Sequence, residues 1–148
     1  MNHEGREGRE GVPGWSGGLR VNSPLDAATE AVVRRTIGCA IEVHRRLGPG
    51  FLEGIYRQAM CVELEGAGVA YECERRIEVG YRGRRLSGQR VDLIVADVVI
   101  VELKTITKFD EVHFAQLLSY LKTTGVRAGL LINFRVPVLT RGLRRVVL

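Results

Sequence analysis

Residues 91–104 read VDLIVADVVIVELK, and this stretch holds the clearest structural signal in the chain. Almost every position is apolar, which is typical of adjacent strands that are covered on both faces. The pattern predicts one strand from Arg85 to Val95 and a second from Val98 to Thr105. Because both strands are so apolar, we expect them to be central in a sheet.

Three charged residues interrupt this apolar stretch: Asp92 on the first strand, and Glu102 and Lys104 on the second. Glu102 and Lys104 are two positions apart, so they point to the same face of the sheet. Asp92 lies opposite Glu102 only if the connecting loop holds an odd number of residues, such as 96–98, or if the hairpin contains a bulge. A strict two-residue loop would instead set Asp92 opposite Val101.

These three charges form a candidate site, because burying a charge is costly unless it is paired or binds a metal. Two carboxylates that meet beside a lysine suit Mg²⁺ or Mn²⁺, which prefer oxygen ligands. The ammonium of Lys104 can orient or deprotonate a metal-bound water, which a guanidinium does less readily. The alternative from these residues alone is a structural Asp–Lys or Glu–Lys ion pair inside the sheet.

The flanking sequence alternates between helical and strand patterns. The predicted elements are a helix from Ser23-Pro24 to Leu47, a helix from near Phe51 to Gly66 or Gly68, a strand at 69–81, a helix at 110–123, a strand at 127–134 and a short edge strand within 138–148. Together with the two central strands, this order predicts an α/β domain with a mixed central sheet flanked by helices.

The composition sets the boundaries of the domain. The chain has 148 residues, of which 45% are hydrophobic, and this suits one compact domain. Residues 1–22 repeat Gly, Arg and Glu without an apolar period, which predicts a disordered tail ahead of a single domain at 23–148. No apolar run is long enough to span a membrane, and no secretory signal pattern is visible, so we expect a cytoplasmic location.

The cysteines and arginines carry two further expectations. Cys39, Cys61 and Cys73 fit neither a disulfide framework nor a zinc site, so they are expected to be reduced, mostly buried thiols.

The chain carries a net charge of +5. Two groups of arginines would suit phosphate contacts, although solvated strand edges are the alternative for each residue. The groups are Arg75, Arg76, Arg82, Arg84, Arg85 and Arg90, and then Arg135, Arg141, Arg144 and Arg145.

Asp92 followed by Glu102-Leu103-Lys104 resembles the Asp and Glu-x-Lys signature of the PD-(D/E)XK nuclease superfamily. The segment at 50–56, GFLEGIY, is similar to the motif that names the bacterial GxxExxY proteins of that superfamily. The resemblance runs from about Thr36 to Val146 in several separated blocks. Val91 replaces the proline that often precedes the aspartate, which is a minor departure outside the metal shell.

The resemblance implies a restriction-endonuclease-like core and a set of site residues. Asp92, Glu102 and the backbone carbonyl of Leu103 would hold the metal, and Lys104 would position the attacking water. Glu53 would correspond to the helical glutamate of many superfamily members, whereas from the residues alone it is a carboxylate that complements the helix dipole. Tyr56 is expected to pack in the core with its hydroxyl hydrogen-bonded.

Gln116 and Tyr120 resemble the Gln-x-x-x-Tyr motif that marks RecB-like nucleases. His113, Gln116 and Tyr120 share one helix face. The resemblance implies that this motif lies beside the metal site, which makes Gln116 a candidate catalytic residue and Tyr120 a candidate substrate-binding residue. His113, on the same face, is a second candidate for substrate binding. For His113 the alternatives are helix capping or solvation, and for Gln116 a solvated position. Arg90, from the first arginine group, is a third candidate for substrate binding.

The sequence therefore predicts a Mg²⁺- or Mn²⁺-dependent endo- or exonuclease that acts on nucleic acid, on DNA in preference to RNA. The alternative is a catalytically silent module that binds nucleic acid or a partner protein on a nuclease fold. A homodimer or a partner protein could supply specificity. The chain has neither a glycine-rich phosphate loop followed by lysine nor a plausible Ser-His-Asp arrangement, so nucleotide-driven and acyl-transfer chemistry are not expected.

Overall fold

The computed structural model describes residues 25–148. The disordered tail predicted at 1–22 lies outside the described residues. Within these residues the structure contains three helices and five strands in the predicted order. They are α1 (Ala27–Leu47), α2 (Glu53–Gly66), β1 (Tyr71–Tyr81), β2 (Arg84–Val95), β3 (Val99–Lys104), α3 (Glu111–Thr124), β4 (Ala128–Asn133) and β5 (Leu143–Val147), with a 3-10 turn at Leu139–Gly142 before β5.

The first helix begins later than the Ser23-Pro24 signal predicts. Its N-cap is Asp26, whose carboxylate accepts a hydrogen bond from the backbone N–H of Thr29 at 2.7 Å. An aspartate at this position satisfies one of the donors that every helix start leaves without a partner. The capping side chain therefore fixes the start of α1 at Ala27.

The five strands form one mixed sheet in the order β1-β2-β3-β4-β5. β3 and β4 are parallel, and the other neighbours are antiparallel. Helices α1 and α2 cover one face, and α3 covers the other, so the apolar cores lie on both sides of the sheet. This three-layer arrangement confirms the predicted α/β class and is consistent with a restriction-endonuclease-like core.

The loop between β2 and β3 has three residues, 96–98. Leu93 pairs with Val101, and Val95 pairs with Val99. Ala96 and Asp97 adopt positive φ angles of 50° and 58°, which turn the chain within this short loop. The odd loop length is the one that aligns position 92 with position 102, so the condition set by the sequence is met.

Asn133 fixes the chain just after Lys104. The two residues are neighbours in the parallel β3–β4 register, and Asn133 is buried. Its side-chain oxygen accepts hydrogen bonds from the backbone N–H groups of Ile106 and Arg135, and its amide donates to the Ile106 carbonyl. Phe134 donates its N–H to the Lys104 carbonyl at 2.9 Å. These bonds hold the end of β3 in place.

Replacing Gly142 with alanine is expected to lower the free energy of unfolding by about 1–3 kcal/mol. A methyl group at this position would overlap the backbone carbonyl oxygen of Asn133, which cannot move without disturbing β4. Urea unfolding measures the change. Gly66→Ala is the matched control, because a methyl group there meets only open space, and it should leave stability unchanged or slightly higher. Equal stability of the two variants would contradict the overlap.

The prediction of three reduced thiols is wrong for two of the three cysteines. Cys61 of α2 and Cys73 of β1 form a disulfide, while Cys39 is free and buried. The sequence separation hides this contact, because the turn at 67–70 folds β1 back beside α2 and brings the two positions together. Cys73 is also exposed rather than buried.

Part of the second arginine group is structural. Arg145 is buried and forms an ion pair with Glu30, which joins β5 to α1. The Arg144 guanidinium lies over the Phe109 ring, 5.3 Å from its centroid. The expectation of phosphate contacts therefore does not hold for Arg145.

No helix within residues 25–148 is long and apolar enough to cross a membrane.

Candidate active site

The candidate site lies where β2 and β3 separate. Their backbone pairing ends at Leu93 and Val101, and the side chains of Asp92 and Glu102 occupy the next position. The backbone N–H of Asp92 donates to Glu102 Oε1 at 3.1 Å, and the backbone N–H of Leu103 donates to Asp92 Oδ2 at 2.8 Å. The two carboxylates thus replace ladder hydrogen bonds, and their predicted convergence is confirmed.

The two carboxylates share a mostly desolvated position. Glu102 is 5% exposed. Burial, followed by the negative charge of Asp92, raises the pKa of Glu102 to about 8. Burial also raises the pKa of Asp92, although the Leu103 N–H and the nearby cations Arg57 and Lys104 oppose that rise. Near neutral pH the pair therefore resists carrying two negative charges without an added cation.

Glu53 is the first residue of α2 and is half-buried beside this pair. Burial and then the charge of Asp92 raise its pKa, while Lys104 and Arg57 lower it. These influences place Glu53 within electrostatic range of both the acidic pair and the lysine. This position is compatible with the helical glutamate that the family resemblance implies, and the role of Glu53 stays a prediction.

Tyr56 fixes the loop between α1 and α2, which leads directly into Glu53. Its hydroxyl donates to the Gly48 carbonyl at 2.5 Å and accepts from the Phe51 N–H at 3.1 Å. Its ring stacks on Phe134 with centroids 4.3 Å apart. The expectation of a core tyrosine with a hydrogen-bonded hydroxyl is confirmed, and Tyr56 acts on the site by fixing the start of α2.

A chain of hydrogen bonds runs from Lys104 through α3. Lys104 Nζ donates to Gln116 Oε1 at 3.2 Å, Gln116 Nε2 donates to the Tyr120 hydroxyl at 2.9 Å, and that hydroxyl donates to Gln89 Oε1 at 3.0 Å. The solvated position that was the alternative for Gln116 is therefore wrong. Its side chain is hydrogen-bonded to both Lys104 and Tyr120. Within residues 25–148 the structure shows no direct ion pair between Lys104 and a carboxylate, which argues against the structural-pair alternative.

The three candidate substrate-binding residues differ in their surroundings. His113 caps α3, because its Nδ1 accepts a hydrogen bond from the Asp110 N–H at 2.8 Å. Tyr120 is 4% exposed, so its hydroxyl serves the hydrogen-bond chain more readily than a bound substrate. Arg90 is exposed on β2, opposite Arg76 of β1. Direct substrate contact stays a prediction for all three.

Two residues at the site were not predicted from the sequence. Arg57 of α2 lies 3.6 Å from Asp92 Oδ1 and 3.5 Å from Glu74 Oε1, and Gln89 ends the hydrogen-bond chain from Lys104. Arg57 follows Glu53 by one helical turn, so the two share a helix face. That spacing was the available signal for Arg57, whereas nothing in the sequence singles out Gln89.

The oxygen atoms at this site are the kind of ligand that a small hard cation such as Mg²⁺ prefers. Asp92 and Glu102 supply carboxylates, and the C=O of Leu103 points to the same side of β3 as its N–H, toward β2. No group of three or more His, Cys, Asp and Glu side chains arranged to hold a metal occurs within residues 25–148. Two carboxylates are still sufficient for Mg²⁺, which keeps several waters and takes further ligands from substrate phosphates.

Comparison with known proteins agrees with this geometry. A family model described as the PD-(D/E)XK nuclease superfamily matches residues 30–146. Searches of curated proteins and of solved structures find no match. The narrower GxxExxY assignment stays a prediction. Because the match spans most of the sequence and includes the acidic pair and Lys104, this chain belongs to the PD-(D/E)XK nuclease superfamily.

Proposed function

We propose that this chain is a nuclease that uses Mg²⁺ or Mn²⁺ to hydrolyse phosphodiester bonds of DNA, with RNA as the less favoured substrate. The observation that carries the proposal is the meeting of Asp92 and Glu102 in a desolvated gap of the sheet, beside the ammonium of Lys104. Membership of a nuclease superfamily supports the same reaction class.

Asp92, Glu102 and the Leu103 carbonyl would hold the cation. When bound, a divalent metal lowers the pKa of a bound water and neutralises charge on the phosphoryl oxygens. Since both carboxylates have raised pKa values in the metal-free protein, the site favours a bound positive charge at neutral pH.

The remaining residues of the site position the attacking water and the lysine. An ammonium has three donors, and Lys104 directs one of them to Gln116, which leaves donors for a water. Gln116 is itself held by Tyr120, so the lysine is oriented from α3. Glu53 reaches the same region from α2, where its carboxylate can accept a proton or a hydrogen bond from that water.

Arg57 favours a second candidate, a silent module that binds nucleic acid without cutting it. Its guanidinium lies 3.6 Å from Asp92 and supplies positive charge where a metal would otherwise do so. An arginine in that role stabilises the acidic pair without activating a water.

A digestion assay separates the two candidates. The protein is incubated with labelled duplex and single-stranded DNA and with RNA, in Mg²⁺, in Mn²⁺ and in EDTA. We expect cleavage that requires the metal and is strongest on DNA. Binding without cleavage under every metal condition would instead support the silent module, and cleavage that persists in EDTA would contradict the proposed metal role.

A further inference from the structure

The hairpin of β1 and β2 extends beyond the rest of the sheet. β2 pairs with β3 only from Leu93 to Val95, whereas β1 and β2 stay paired as far as Tyr81 and Arg84. Of the side chains between positions 75 and 90, only Ile77 is buried. Residues 75–90 therefore form a two-stranded ribbon, called the ribbon below, that stands out beside the candidate active site.

One face of the ribbon is anchored to α3. Ile77 and Val91 are buried in the core that α3 covers, and Gln89 accepts a hydrogen bond from Tyr120. Successive side chains on a strand point to opposite faces. Arg76 and Arg90 alternate with these anchored residues, so they lie on the face that points away from α3.

Arg76 and Arg90 are directly opposite each other in the β1–β2 register. Like charges at directly opposed positions destabilise a pair of strands. Two other arginines of the ribbon have acidic neighbours, since Arg75 at its base lies near Asp97 and Arg85 close to its tip lies near Glu78. Within residues 25–148, neither Arg76 nor Arg90 forms an ion pair. An anion between the two guanidinium groups would remove their repulsion.

A bulge in β2 makes room for such an anion. The register shifts between Ile77 and Val79, so Ser87 and Gly88 together face a single residue of β1, and Gly88 has a φ of +116°. A hollow of about 280 Å³ opens at this point, lined by Arg76, Ser87, Gly88, Gln89 and Arg90. Two guanidinium groups, a hydroxyl and a glycine backbone are donors suited to phosphate oxygens.

The hollow lies close to the acidic pair along β2. Arg90 and Asp92 are two residues apart on this strand, which separates their Cα atoms by about 7 Å. Arg57, which contacts Asp92, also contacts Glu74 two residues before Arg76. A phosphate in the hollow would thus sit beside the group to be cleaved.

We propose that the hollow between Arg76 and Arg90 binds a backbone phosphate of duplex DNA and sets the position of the cleaved bond, an inference that rests on the proposed nuclease function. A duplex suits the ribbon better than a single strand does. Tyr81 at the tip is the one aromatic residue in the ribbon, so there is no row of rings on which unpaired bases could stack. A two-stranded ribbon also fits the major groove.

The test measures binding without cleavage. A fluorescein-labelled DNA duplex and, separately, its labelled single strand are titrated with protein in EDTA, and anisotropy gives each Kd at several salt concentrations. For Arg76→Ala with Arg90→Ala we expect about tenfold weaker binding and a shallower salt dependence, with the slope of log Kd against log salt reduced by about 1 to 2. Arg76→Lys with Arg90→Lys should recover part of the affinity, because it keeps the charge.

The matched control is Arg45→Ala with Arg46→Ala, which removes the same charge from α1, where both arginines already pair with Glu42. This control should bind within about twofold of wild type if the arginines act by contact rather than by net charge. The ribbon variant should melt no lower than wild type, because it relieves a like-charge contact.

Equal losses in the two double variants, no duplex binding by the wild type, or a loss confined to single-stranded DNA would each overturn the proposal. Because these measurements exclude metal, their outcome is separate from that of the digestion assay. Wild-type protein that binds the duplex through Arg76 and Arg90 but never cuts it would overturn the nuclease function and leave the phosphate site standing.

Discussion

Replacing Lys104 with alanine is expected to lower the rate of metal-dependent cleavage on the order of 10²- to 10⁴-fold, the usual contribution of a positioned proton-transfer group. Lys104 directs its ammonium at the end of β3, where Gln116 holds it within range of the acidic pair. Without that donor, the attacking water loses its orientation although the carboxylates stay in place. Single-turnover cleavage of a labelled DNA substrate measures the loss.

Lys108→Ala is the matched control, because it removes the same charge from an exposed residue beyond β3. It should cleave at nearly the wild-type rate. Lys104→Arg keeps the charge but not the compact ammonium, so we expect it to remain far below wild type. Undiminished cleavage by Lys104→Ala would mean that Lys104 has no part in the reaction, or that a contaminating enzyme produces the signal.

The metal-free protein is expected to lose stability as the pH rises, on the order of 3 kcal/mol between about pH 5 and pH 8. The pKa of Glu102 in the folded protein is about 8, against an ordinary value of 4.5. Between these values the folded protein keeps a proton that the unfolded chain has released, so the free energy of unfolding falls and then levels off above the folded pKa. The raised pKa values of Asp92 and Glu53 act in the same direction.

Glu102→Gln should flatten this dependence and be more stable than wild type at pH 8, because an amide accepts the Asp92 N–H bond without carrying a charge. Urea unfolding in EDTA measures the free energy at each pH. Glu111→Gln, at an exposed position, should keep the wild-type slope. Added Mg²⁺ should raise the melting temperature of the wild type more than that of Glu102→Gln. Stability that rises with pH would contradict the buried acidic pair.

The sequence was sufficient to predict the two central strands and the charged residues on them, but not the register between the strands. Apolar side chains fill both faces at 93–95 and 99–101, so burial alone does not distinguish an odd loop from a two-residue loop. The three-residue loop at 96–98 sets the register that brings Asp92 to Glu102. The role of Tyr56 could also be predicted from the sequence, because a buried tyrosine needs a hydrogen-bond partner and the adjacent loop supplies one.

The residues that sequence reasoning missed all depend on contacts between separate elements. Arg57 reaches Asp92 across the interface of α2 and β2, and Gln89 reaches Tyr120 across that of β2 and α3. The Cys61–Cys73 disulfide depends on how α2 turns back to β1. Such distances follow from helix placement and loop path, which a pattern of apolar residues along one strand does not specify.

The two carboxylates in the gap between β2 and β3 have a structural role as well as a proposed chemical one. Asp92 and Glu102 accept the backbone N–H groups of Leu103 and of Asp92 itself, so the acids proposed to act on a phosphodiester also close a break in the sheet. Alanine at either position would leave a backbone donor without its partner. A descendant that had given up cleavage would therefore still be selected to keep an oxygen acceptor at both positions. In such a lineage the acidic signature would persist for structural reasons, whereas Lys104 closes no break in the sheet and would be free of that constraint.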